Sequence, residues 1–242
     1  MLTLLLGGLV VLGAALLGGI TGFGFALVCT PLLLSLGVPL PVVVISNLSL
    51  ATATRISVAY RLRAHIDVGR VAWLVAASVP GILLGTWVIA WADPRAIKLA
   101  AGALVIVAVL LILRSMARPA PARIPGSTGL AGFLAGFLGS TTSLNGIPPV
   151  LLLARDRVSP KGFQANLALF FISSNLITLA VLAARGAPFA EALIPRGLIW
   201  LPVALAGNLA GVRLGTSLPD LLFRRIALAV AFVAGVLAMI TA

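Results

Sequence analysis

The sequence predicts an all-α integral membrane protein of two inverted-topology repeats, each a broken or re-entrant hairpin plus about three full transmembrane helices. Three observations predict it: the composition, the placement of the charges, and a correspondence between the two halves. Of 242 residues, 61% are hydrophobic and only 9% are charged, with a mean hydropathy of +1.21. A soluble domain carries roughly 45–50% apolar and about 25% charged residues. A chain this poor in charge could not cover its surface with groups that water accepts. A membrane span needs about 20 mainly apolar residues, so this length supplies several. The net charge of +12 is read as Lys and Arg in short loops that hold helices in orientation, not as a nucleic-acid footprint.

The chain is apolar from Met1, and its first Lys or Arg is Arg55. That reads as a retained segment and not a cleaved signal peptide, which would begin with a basic region. Residues 2–36 are too long for one span and have a glycine-rich centre, Gly18-Gly19-Ile20-Thr21-Gly22-Phe23-Gly24. Cys29, the single cysteine, excludes an intrachain disulfide and reads as a small packing residue. Full spans are expected at about 41–60, 70–92 and 96–114, followed by a Pro/Arg-rich linker. Residues 127–153 form a second irregular stretch with the polar centre Gly139-Ser140-Thr141-Thr142-Ser143-Leu144-Asn145-Gly146, then Pro148-Pro149. Further spans are expected at about 163–184, 196–215 and 222–241.

Charge counting decides how the two irregular stretches run. Were each a single crossing, the basic residues would split almost evenly between the two sides. With each stretch going in and coming back, one side receives Arg61, Arg63, Arg70, Arg114, Arg118, Arg123, Arg155, Arg157, Lys161, Arg224 and Arg225. The other receives Arg95, Lys98, Arg185 and Arg196. Eleven against four is a positive-inside bias. This arrangement places both termini outside the cytoplasm and the linker inside. Arg55 and Arg213 fall near expected helix ends. They read as interfacial snorkellers, with attraction of an anion into a vestibule as the alternative.

The halves also correspond. Pro41 matches Pro160, and Ser46–Leu50 matches Ala165–Leu169, both at an offset of 119; Gly81-xxx-Gly85 matches Gly207-xxx-Gly211 at 126. With the charge parity this is an inverted repeat, a signature of secondary transporters. The expected organisation is a first repeat at 1–114, a cytoplasmic linker at 115–126 and a second repeat at 127–242. The small-xxx-small runs, including Gly215, read as close helix packing.

Candidate chemistry is sparse. The five acids, Asp67, Asp93, Asp156, Glu191 and Asp220, and the one histidine, His65, all fall in expected loops. An intramembrane carboxylate relay is therefore missing. No cluster has metal-ligand spacing, and no cofactor or enzymatic activity is expected. Neutral hydrogen-bonding groups do occur inside the membrane: Thr21 with Gly22, Phe23 and Gly24 in the first break, and Ser140, Thr141, Thr142, Ser143 and Asn145 in the second. The spans that follow carry Asn47 with Thr54 and Asn166 with Ser173, each pair at i, i+7 and so on one helix face. A broken helix exposes N–H groups at the start of its second half, which attract an anion. Glycine lets backbone approach the ligand, and hydroxyls and amides replace its water. Against this stands a packing role: Ser and Thr bond within their own helices, and the asparagines can join helices.

The run GGITGFGFALVCTPLLLSLGVP, the polar span with Asn47, and Arg61 and Arg63 resemble the first half of the sulfite exporter TauE/SafE family. GLAGFLAGFLGSTTSLNGIPPVLLL resembles that family's second glycine-rich motif, except that the hydroxyl-rich Ser140–Ser143 stands where the family usually carries glycines. The resemblance implies a bacterial inner-membrane permease for sulfite, sulfoacetate or related small anions. By position it implies a pathway lined by Thr21–Gly24 and by Ser140, Thr141, Thr142, Ser143 and Asn145.

The expected function is thus a transporter, an exporter of sulfite or an organosulfonate, working by alternating access around the two breaks. The partners are a small anion, the lipid bilayer and, compatibly, further copies of the chain; nucleic acid is not among them. The rival readings are an anion channel or facilitator for another small oxyanion or carboxylate, and a non-transport membrane scaffold.

Overall fold

The computed structural model describes residues 2–89, 126–156 and 158–215 continuously, with short runs and single positions between 91 and 114 and between 229 and 240. Along these residues the helices are α1 (Leu2–Thr21), α2 (Gly24–Ser35), α3 (Leu40–Arg61), α4 (Val68–Ile89), α5 (Ser127–Thr142), α6 (Ile147–Arg155), α7 (Pro160–Ala184), α8 (Phe189–Leu193) and α9 (Arg196–Gly215). No strand occurs among the described residues. The helices α1, α3, α4, α7 and α9 are long and apolar enough to cross a membrane. Their outward faces carry exposed Leu5, Leu9, Trp73, Trp87 and Leu198, apolar surface that a hydrocarbon solvent accepts and water does not.

The ends of the elements follow local chemistry. α3 starts behind Pro39, and α7 behind Ser159, whose hydroxyl accepts from Gly162 N–H at 3.3 Å. The Asp67 carboxylate accepts from Arg70 N–H at 3.0 Å and caps α4. The four spans read from hydropathy at 41–60, 70–92, 163–184 and 196–215 coincide with α3, α4, α7 and α9 to within about three residues. Those expected at 96–114 and 222–241, and most of the linker, lie largely outside the described residues.

The irregular stretches differ from two short crossings of like length. In the first, α1 alone is 20 residues, a full span, and the 12-residue α2 follows it. In the second, the 16-residue α5 precedes the 9-residue α6. The break in the first is Gly22, at φ 83°, which ends α1 at the conformation glycine adopts without cost. In the second, the helix continues through Ser140, Thr141 and Thr142, because each hydroxyl donates to a carbonyl three or four residues back. It stops only at Ser143, at φ 60°.

Packing pairs α1 with α9, α4 with α5, and α3 with α7 at the centre. The first two pairs approach through glycine. Gly81 of α4 rests on the backbone of Phe133 and Phe137, and Gly136 of α5 on that of Ser78. Likewise Gly19 of α1 rests on Asn208 and Gly211 of α9. The fully buried Trp200 ring lies against Gly7 and donates its Nε1–H to Leu4 O at 3.0 Å. At one end, the turn before α4 and the segment after α6 meet: Arg70 pairs with Asp156 at 3.1 Å and with Asp67 at 3.4 Å, and Arg155 also pairs with Asp156.

Candidate functional site: a polar cavity between the two breaks

The two breaks and α3 enclose a small cavity. Phe23, Phe25, Ala26 and Leu27 line it from the first break and α2. Asn47, Leu48, Ala51 and Arg55 line it from α3. The second break supplies Ser143, Leu144, Asn145, Gly146 and Ile147, and α7 supplies Phe171. The space open to the centre of a water molecule is about 30 Å³, more than the roughly 10–15 Å³ one water requires.

Its polar side rests on two hydrogen-bonded groups, one around Asn47 and one around Asn175. Asn47 Nδ2–H donates to Thr30 Oγ1 at 3.0 Å and to Ser143 Oγ at 3.1 Å. Thr30 and Ser143 share a hydrogen bond of 2.8 Å, and Thr30 donates to Thr142 O at 3.3 Å. Asn145 Nδ2–H donates to Asn175 Oδ1 at 2.7 Å. Asn175 in turn donates to Leu48 O at 3.3 Å and to Thr52 Oγ1 at 3.2 Å. Asn47 Oδ1, in a residue only 1% exposed, has no partner among the described residues. Leaving a buried acceptor unmet costs about 1–3 kcal/mol.

Ser143 is held in the left-handed region because α5 ends there in an αL cap, with Ser143 N–H on Gly139 O at 3.0 Å, and Leu144 N–H donates to Leu138 O at 3.3 Å. Glycine would fit that conformation without cost, and a serine accepts about 1–2 kcal/mol of strain. What the strained serine adds is its hydroxyl, aimed at Asn47.

The charge in the cavity comes from Arg55. Its residue is 4% exposed, so it is not an interfacial snorkeller as its position near a helix end suggests. Its Nη2–H donates to Gly18 O at 2.9 Å, the carbonyl one turn before the first break. None of the described carboxylates pairs with it: the ion pairs engage Arg70, Arg155 and Arg196 instead. The helix N-termini contribute less than broken helices promise. Thr21 Oγ1 already accepts from Gly24 N–H at 3.0 Å, and Pro148 and Pro149 in the first turn of α6 have no N–H to offer.

Of the residues singled out from the sequence, Phe23, Asn47, Ser143 and Asn145 line this cavity. The others do not. Thr21, Gly22 and Gly24 form the cap and turn of the first break; Gly24 lies against Thr21 Oγ1. Ser140, Thr141 and Thr142 bond to their own helix. Thr54 donates to Ala51 O at 2.9 Å, within α3. Asn166 accepts from Asp67 N–H at 2.7 Å and so secures the turn before α4. Ser173 is half-buried on α7, away from the cavity. Sequence reasoning missed Thr30, Thr52 and Asn175, and gave Arg55 to the membrane surface. Among the described residues no three His, Cys, Asp or Glu are grouped to hold a metal ion.

A family model described as Sulfite exporter TauE/SafE matches residues 7–238. No curated protein and no solved structure matches the chain.

Proposed function

Because the chain belongs to the sulfite exporter TauE/SafE family, which the match over residues 7–238 shows, we propose that it moves a small sulfur oxyanion, sulfite or a compact organosulfonate, through the cavity beside Asn47 and Arg55. Membership makes the chain a multi-pass membrane transport protein for sulfur-containing anions. The proposal adds the substrate, the site and the mechanism.

The observation that carries it is Arg55, a cation 4% exposed that lines the cavity and has no carboxylate partner among the described residues. Burying a charge costs several kcal/mol unless something compensates it, and a bound anion is that compensation. Asn47, Ser143 and the carbonyl-anchored guanidinium supply donors and orientation. The small volume favours sulfite over longer sulfonates such as sulfoacetate.

The mechanism we propose is export by alternating access between two inverted repeats, 1–114 and 127–242, joined by a cytoplasmic linker at 115–126, in a bacterial inner membrane with both termini outside the cytoplasm. Two features support it. The contacts are reciprocal: the first arm of each broken stretch packs on a full span of the other repeat, α1 on α9 and α5 on α4. Both breaks also contribute to the same cavity, as expected of carriers that bind their substrate where two repeats meet. The basic turn before α4 and the segment after α6 meet at one end, on the side that charge parity assigns to the cytoplasm.

The test is flux of radiolabelled sulfite from proteoliposomes containing the purified chain. Saturable efflux that unlabelled sulfite competes away supports a carrier. Absence of flux for every small oxyanion, from a folded sample, overturns the proposal, and non-saturating flux replaces the carrier with a channel.

A further inference from the structure

We infer that the cavity takes its anion in protonated form, as a singly charged oxyanion that still carries an O–H, of which hydrogen sulfite is the member the family makes available. The inference rests on the transport reading above and sharpens it to a protonation state.

The argument starts from the orientation of one amide. Asn47 Nδ2 has two protons, and both are committed, to Thr30 at 3.0 Å and to Ser143 at 3.1 Å. The two hydroxyls are committed in their turn, by their shared bond of 2.8 Å and by the bond from Thr30 to Thr142 O at 3.3 Å. The network therefore leaves Asn47 Oδ1, and only lone pairs, at that corner, and no described group donates to it. Arg55 stands eight residues, just over two turns, further along the same helix and lines the same cavity. It offers only donors.

An anion bound there meets a cation on one side and a bare acceptor on the other. A fully deprotonated oxyanion satisfies Arg55, but its own lone pairs then face those of Asn47 Oδ1. A protonated oxyanion satisfies both: its anionic oxygens accept from Arg55, and its O–H donates to Asn47 Oδ1. No covalent bond forms or breaks. The proton travels on the anion and is given up to solvent after release. Proton movement with the substrate then needs no carboxylate in the protein.

Protein ionisation does not confuse the reading. Among the described residues that line the cavity, Arg55 is the one that is charged. Of the elements packed on α3, α2 carries Cys29, α7 Lys161, α8 Glu191, and α9 Arg196 and Arg213. None of these lines the cavity, and α5 carries no titratable group. α1, which supplies Gly18 O to Arg55, carries none either. Arg155 of α6 is engaged with Asp156 and Ser127.

The experiment is a thermal-shift titration of the purified full chain with sodium sulfite at a series of pH values from about 6 to about 9, reading binding as stabilisation of the folded state. Methanesulfonate, a monoanion with no O–H, is titrated in parallel. Sulfite gives up its last proton near neutrality. Its apparent affinity should therefore fall about tenfold per pH unit on the alkaline side, while methanesulfonate binds weakly and without slope. Sulfite affinity that is flat or rises with pH, or methanesulfonate binding as tightly as sulfite, overturns the inference and leaves the transport site standing. No stabilisation by either anion at any pH overturns both.

Discussion

Replacing Arg55 by methionine should move stability and affinity in opposite directions. Residue Arg55 is 4% exposed, and among the described residues its guanidinium donates to Gly18 O at 2.9 Å and has no carboxylate partner. Its desolvation costs several kcal/mol, and the bond returns about 1.5–3 kcal/mol. Methionine fills a similar volume, so Arg55→Met should stabilise the ligand-free chain by about 1–2 kcal/mol. With an anion bound the balance reverses. Opposite charges about 4 Å apart at an effective dielectric constant near 20 attract by about 4 kcal/mol. Losing most of that weakens sulfite binding roughly 100- to 1000-fold. Arg55→Lys keeps the charge and loses the planar fork, so it should fall between. Thermal unfolding of the three proteins, with and without sulfite, reads both effects at once. If Arg55→Met is less stable than the parent and binds sulfite equally well, Arg55 is a packing pillar for the first break and the argument from an uncompensated charge is wrong.

Two further substitutions test the frame around it. Ser143→Gly removes about 1–2 kcal/mol of left-handed strain and two hydrogen bonds, to Asn47 and to Thr30, worth about 1 kcal/mol each. Its unfolding temperature should stay close to the parent's while sulfite flux in proteoliposomes falls, because the amide loses its orientation; unchanged flux would remove Ser143 from the site. Gly81→Leu should abolish a monodisperse peak on size exclusion, since any Cβ there meets the backbone of Phe133. Gly13→Leu, with nothing within 4 Å of its Cβ position, should elute like the parent.

Hydropathy and charge made the spans legible, because a bilayer imposes one length and one composition on every crossing. α3, α4, α7 and α9 could be placed that way, and Gly22 marked the first break. The second break was less legible. Four hydroxyls in a row look like loop, but in an apolar setting Ser140, Thr141 and Thr142 satisfy themselves on their own helix and leave Ser143 alone at the turn. The offset between halves pointed to Asn166 and Ser173. The network instead uses Asn175, nine residues beyond Asn166 and so about half a turn round α7. Thr30 gave no signal: it is a single hydroxyl in an apolar run, and its role depends on α5 arriving more than a hundred residues later. Arg55 misled because its place near an expected helix end suggested the water interface, while its guanidinium is held inside by Gly18 O of α1.

The reciprocal packing of α1 on α9 and of α4 on α5 bears on how the chain is made. α1 leaves the ribosome well before α9, with its glycine face shaped for a helix that begins about 175 residues later. At about 5–20 residues per second that partner is roughly 10–35 s away. During the wait Gly19 and its neighbours face lipid or the insertion machinery. Neither half owns a finished interface, so the first cannot settle before the second is threaded through. Two halves expressed as separate polypeptides should each be short-lived in the membrane, and should rescue one another when made together.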